Sequence, residues 1–262
     1  MAVVLASSLA ALWAALDVTR LATALPAFKA GVAAVVIRHA QASAALAAQQ
    51  YQRQRVAAGV AGGFRPSAAP PPSVQQVAQA VDWALQPLWN SNVLAAASGQ
   101  PEAPPTDSLP SAGSAIADAK ARLAAATERQ VLNTGQTTII DNAQRDRKAR
   151  GWARIPEPGA CSFCLMLATR VTAKRGAFYT SEEAAGPNQR SARHQTRAGE
   201  AFIGEGQAKV HDHCRCHVEP IFGPYEPTAQ VREAAALWES STRGKSGQAA
   251  LNAFRQAVEG RS

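Results

Sequence analysis

Aromatic side chains make up only 6% of this 262-residue chain, and methionine occurs twice. Much of the apolar content of the first half is alanine, which buries little area per residue. Thin helical packing is therefore expected rather than one deep core. There is no glycine loop with phosphate-binding spacing, no nucleophile elbow and no zinc-protease helix motif, so the familiar signatures of nucleotide-dependent and hydrolytic enzymes are missing. The apolar start, Met1 to Leu16, lacks a basic leader. Asp17 and Arg20 interrupt it well short of the roughly 20 apolar residues that a membrane span needs. The expectation is a soluble chain made in a cytosol, with no membrane partner. No internal repeat is found.

Charge is present and unevenly placed. The chain carries a formal net charge of +8. Residues 1–112 hold 6 basic and 4 acidic groups, residues 113–217 hold 16 and 10, and residues 218–262 hold 5 and 5. The positive field thus centres on the middle of the chain. Its densest point is Arg145, Arg147, Lys148, Arg150 and Arg154, with Trp152 among them. Such a cluster suits a polyanion such as double-stranded DNA, or an acidic protein surface. A solvated basic face is the plainer alternative.

Periodicity predicts a mainly α fold: an Ala-rich helical N-terminal half, a small α+β module, and a helical C-terminal tail. Leu5, Leu9, Leu12 and Leu16 step along one face of a helix over 4–25. Pro26 is expected to break it, and a second helix over 27–56 would complete a hairpin spanning 1–58. Residues 59–112 read as Pro/Gly-rich linkers (59–72 and 99–110) flanking a short helix over 74–97, kinked by Pro87. Trp83 and Trp89 on it are expected as core or interface anchors. A long helix should begin near Ser114 and reach toward Arg150, with a possible break at Gly135 and Thr137–Ile140, which are weak helix formers. Residues 113–225 form the third region. A tail over 226–262 carries helices over 228–258 with a turn at 246–248.

All four cysteines fall in that third region. Cys161 and Cys164 are three residues apart, so one helical turn can present both sulphurs to one ion. The second cluster, His211-Asp-His-Cys214-Arg-Cys216-His217, packs two sulphurs and three imidazoles into seven residues. Zinc takes four such ligands in a tetrahedron, and structural sites leave no position open. The 49 residues between Cys164 and Cys214 imply a staple between distant segments, not a compact finger. Two ligand sets fit: all four cysteines, or three cysteines with His211. His213 and His217 adjoin cysteines, which makes joint ligation harder. A reversible disulfide or thiol pair is a competing reading. So is a catalytic cysteine activated by His211 or His213.

Three strings together resemble a known family: ARIPEPGACSFCLMLATR (153–170), FYTSEEAAG (178–186) and VHDHCRCHVEPIF (210–222). They are similar to the module of phage minor head proteins related to protein F of phage Mu. That module has a Cys-x-x-Cys element followed by His-x-x-Cys-Arg-Cys, here His211, Cys214, Arg215 and Cys216. The Pro-Glu-Pro-Gly-Ala-Cys and Tyr-Thr-Ser segments resemble actinobacteriophage versions. The resemblance spans roughly 115–222. It implies a low-copy head morphogenesis protein inside the virion, near the portal and major capsid protein, acting in assembly, DNA packaging or genome delivery. Relatives of this type are also labelled capsid maturation proteases, a role for which the residues here show no catalytic constellation.

Overall fold

The computed structural model describes residues 2–89, 111–169, 216–224 and 226–260. It is mainly α, as periodicity predicts. Its described elements are α1 (Ala2–Ala14), α2 (Leu21–Ala57), α3 (Val74–Trp89), α4 (Ala112–Arg145), β1 (Gly151–Pro156), α5 (Ser162–Thr169), β2 (Cys216–Ile221), α6 (Ala229–Thr242) and α7 (Gly247–Glu259). They fall into two compact units. The described part of the first comprises residues 2–44, 70–89 and 111–134; that of the second comprises 45–69, 135–169, 216–224 and 226–260.

The first unit is held by apolar stripes. Leu5, Leu9 and Leu16 are buried, and Leu12 packs beside them. Trp13 meets Phe28 edge-on at 5.9 Å. A Cβ on Gly31 would come within 2.9 Å of Leu12 Cδ2, so a glycine there lets α1 and α2 close on each other. Phe28, Val32, Val36 and Ala40 recur at every fourth position of α2 and are all buried. α2 is long and apolar enough to cross a membrane by length and composition. Core helices meet the same test, and this stripe belongs to the core of the unit.

Helix starts in this unit are chemically specified. Ser73 and Gln76 form a reciprocal capping box: Gln76 N donates to Ser73 Oγ at 3.2 Å, and Ser73 N to Gln76 Oε1 at 2.8 Å. Val77, Val81, Leu85 and Leu88 then face inward. Trp83 and Trp89 are 40% and 42% exposed, so neither anchors the core.

Two boundaries differ from expectation. Pro26 does not break the chain: the interruption lies at Ala15–Arg20, and Pro26 sits in the second turn of α2. Pro26 lies just past the four amides that have no intrahelical acceptor, so it forgoes one ladder bond, and burial of Leu21, Phe28 and Val32 around it outweighs that loss. α4 likewise runs unbroken through Gly135 and Thr137–Ile140. There, burial of Thr138, Ile139 and Ile140 outweighs weak intrinsic propensity. The predicted linker over 99–110 and the end of the helix over 74–97 lie outside the described residues.

In the second unit the proline-rich stretch after α2 is strapped down. Asn142 on α4 accepts from Ser67 N at 3.0 Å and donates to Ser67 O at 2.8 Å, and Thr138 Oγ1 accepts from Ala69 N at 3.0 Å. Prolines remove competing donors, and these two amides use buried side chains as partners. β1 and β2 form an antiparallel ribbon in which Arg154 faces Val218 and Pro156 faces Cys216. α5 packs on β1 and against α6 and α7. Met166, Ala234 and Phe254 are buried there, and the half-buried Trp238 packs against them, its ring 5.1 Å from that of Phe254. Thr228 caps α6 by accepting from Val231 N at 3.3 Å.

Candidate metal centre and basic turn

The first cysteine pair opens α5. Cys161 precedes its first residue, and its carbonyl accepts from Leu165 N at 3.0 Å. Cys161 is exposed, whereas Cys164, one turn on, is fully buried. Both thus sit at the helix start, where unpaired amides carry partial positive charge.

Cys216 opens β2 and is buried. Its carbonyl accepts from Gln136 Nε2 of α4 at 2.8 Å, which ties the second motif to the long helix. Cys164 on α5 and Cys216 on β2 therefore belong to elements that flank the same strand, β1. His211 and Cys214 lie outside the described residues. Among the described residues no group of three or more His, Cys, Asp or Glu side chains is placed to hold a metal ion. The donor chemistry of the two buried thiols suits a soft divalent ion.

His217 goes elsewhere. Side chains alternate along a strand, so it leaves β2 on the face opposite Cys216. Its Nε2 lies 3.1 Å from Glu219 Oε1 and its Nδ1 3.8 Å from Glu157 Oε1. The hydrogen bond to Glu219 raises the histidine pKa, burial opposes this, and the two carboxylate charges add to the rise. The same bond lowers the pKa of Glu219.

The basic cluster occupies the turn between α4 and β1. Arg147, Lys148 and Arg150 are exposed. Arg145 is also at the surface but engaged: its Nη2 donates to Ser67 Oγ at 2.6 Å and to Asn142 Oδ1 at 2.7 Å. Arg154 departs from the expected basic surface: it is 4% exposed, because the position points into the buried face of the ribbon.

A buried network beneath this turn escaped sequence reasoning. Asp146, set among four of the basic residues, is 3% exposed and takes Arg55 Nε at 2.8 Å and the Tyr51 hydroxyl at 3.3 Å. Lys148 N donates to its other oxygen at 3.0 Å. Arg55 also donates to the carbonyls of Val60, Ala61 and Gly62, closing the end of α2. Burial first, and the Asp146 charge second, push the Tyr51 hydroxyl far above its ordinary pKa. With Asp146 neutralised from inside, the turn presents its cations outward without an internal acid to offset them. The only trace in the sequence is a lone acid in a basic run.

The VG15 protein family model matches residues 1–241, so the chain belongs to that family, a family of phage proteins. No curated protein and no solved structure matches the chain.

Proposed function

We propose that this VG15 phage protein is a minor head protein of the Mu protein F type. In this reading it acts at low copy inside the procapsid, near the portal, in head assembly, DNA packaging or genome delivery. Its direct partners would be the portal or the major capsid protein. The family match over 1–241 supports a phage protein and spans the first unit and the second as far as residue 241, all four cysteines included; the head role rests on the resemblance carried by the two cysteine motifs. Zinc is the expected structural ion, held by Cys161, Cys164, Cys214 and Cys216, or by three of these cysteines with His211. When bound it would tie the start of α5 to the start of β2 and close the 49-residue insert between the motifs.

Mass spectrometry of purified virions and procapsids tests the location. The chain should be found in both at a few copies, and crosslinking should join it to the portal or major capsid protein. Its absence from both particles would remove the reading. Processing of the major capsid protein that stops in a folded Cys164→Ser variant would instead support a maturation protease.

A second reading has its own observation. Arg147, Lys148 and Arg150 face solvent while Asp146 is paired internally. A head protein exposing such a turn would lie against packaged duplex DNA. Binding to duplex DNA should then weaken with salt, and each neutralised cation should lower the slope of log K against log salt by about 1. A slope unchanged in the triple variant would count against DNA contact through this turn.

A further inference from the structure

α1 carries no charged residue anywhere along Ala2–Ala14. A helix without a charged face is ordinarily covered on every side. Here one side enters the core through Leu5, Leu9 and Trp13, while Val4, Ala6, Ala10, Ala11 and Ala14 are exposed. Between α1 and α4 runs a cleft of about 280 Å³, lined by Leu9, Trp13 and Leu123 and by the alanines Ala6, Ala10, Ala14 and Ala124. Alanine walls let another helix come close, because interaxial distance follows side-chain size.

The charges at the rim choose the occupant. Lys120, Ala124 and Glu128 follow one another at four-residue intervals along α4, so they share a stripe. Lys120 Nζ sits 5.6 Å from the centre of the Trp13 ring, which holds it at the cleft. Neither Lys120 nor Glu128 joins an ion pair among the described residues. The two are about 12 Å apart along the helix axis, too far to pair with each other. Ala124 lies midway between them. A two-fold axis crossing α4 at Ala124 would therefore set Lys120 of one copy opposite Glu128 of the other, and do so twice. The same axis would lay the α1 stripe of Ala6, Ala10 and Ala14 against itself, since it too is evenly spaced about its middle residue.

We propose that this face is where two copies of the chain meet, α4 against α4 and α1 against α1, each antiparallel to its mate. The unpaired cation and acid on either side of an alanine make the surface complementary to itself. A face about 20 Å long and about as wide buries on the order of 400 Å² per copy, the size of a weak, reversible contact.

Sedimentation velocity of the full-length protein over about 1–500 μM tests this. Wild type should pass from monomer to dimer within that range. Ala10→Glu sets like charges together on the two-fold axis; the position is exposed, so the variant should melt as wild type does and stay monomeric. Lys120→Glu and Glu128→Lys should each weaken association about 10-fold. Mixing these two variants brings opposite charges back to both contacts, and the mixture should associate as tightly as wild type. Should Ala10→Glu melt early, the mixing experiment decides alone. A wild type that stays monomeric throughout would overturn the proposal. So would dimerisation indifferent to Ala10→Glu, or a mixture no tighter than either variant by itself. A monomeric wild type that uses this face for another head protein, or for phosphatidylcholine vesicles, would give α1 that partner and equally overturn it.

Discussion

The two units hold themselves together differently. In the first, the buried polar side chains Thr127 and Thr134 bond back to carbonyls of their own helix, at 2.7 Å to Leu123 O and 2.9 Å to Gln130 O. The remainder of that core is Leu, Val, Ala, Trp and Phe. In the second, Arg55, Gln136, Thr138, Asn142, Asp146 and Arg154 are all buried. Most of them bridge segments far apart in sequence: Arg55 and Asp146 are 91 residues apart, Gln136 and Cys216 80. Apolar stripes are non-directional and accept many pairings, whereas hydrogen-bonded ion pairs specify one. The unit that carries the candidate centre is thus the one whose geometry is pinned by directional contacts.

The largest effect should come from breaking that pinning. Asp146→Ala leaves Arg55 buried and unpaired and should cost about 3–5 kcal/mol in urea denaturation. The double variant Arg55→Met/Asp146→Leu should recover much of this, because it removes both charges. A cost no larger than that of a surface change would show that the network is not specifying the second unit. In the first unit, Leu85→Ala should cost about 2–5 kcal/mol through the cavity it leaves, with no companion substitution of a charge able to rescue it. Next in size is the cap of α6: Thr228→Ala should cost about 1 kcal/mol. Replacing Arg147, Lys148 and Arg150 by Gln should shift stability by within about 0.5 kcal/mol per site, because they are exposed. Only polyanion binding should respond strongly.

The smallest effect has a definite sign. Burial raises the Asp141 pKa above 3.8, and the Arg145 charge opposes it only in part. Its contribution to stability is therefore full below the unfolded value and lost as pH rises through the folded one. Asp141→Asn should raise the melting temperature slightly at neutral pH, and the gain should vanish below pH 3.8. A gain that persists in acid would assign the effect to something other than ionisation.

The predominantly helical character was legible because leucine and valine stripes recur every three or four residues; the turn between the last two helices, expected at 246–248, lies at 243–246, since Gly247 and Gln248 open α7. The cysteine motifs were legible because spacing alone limits what two thiols can bind. Other features were not. A proline-rich stretch reads as a linker until Asn142 and Thr138 are seen to take its amides. Arg154 reads as one of five surface cations until β-pairing turns it inward. Helix propensity argued for a break in α4 that burial overrules.

By itself, then, the sequence determined a mainly helical protein with two sulphur-rich motifs and a basic run between its helical parts. It did so because periodicity, spacing and charge are properties of neighbours along the chain. Tertiary structure alone decided which cations face water, which acid is consumed inside, and which strand lies between α5 and β2. Those depend on pairings between residues some 60 to 90 positions apart, such as Pro156 with Cys216 and Arg55 with Asp146, whose partners no local pattern encodes.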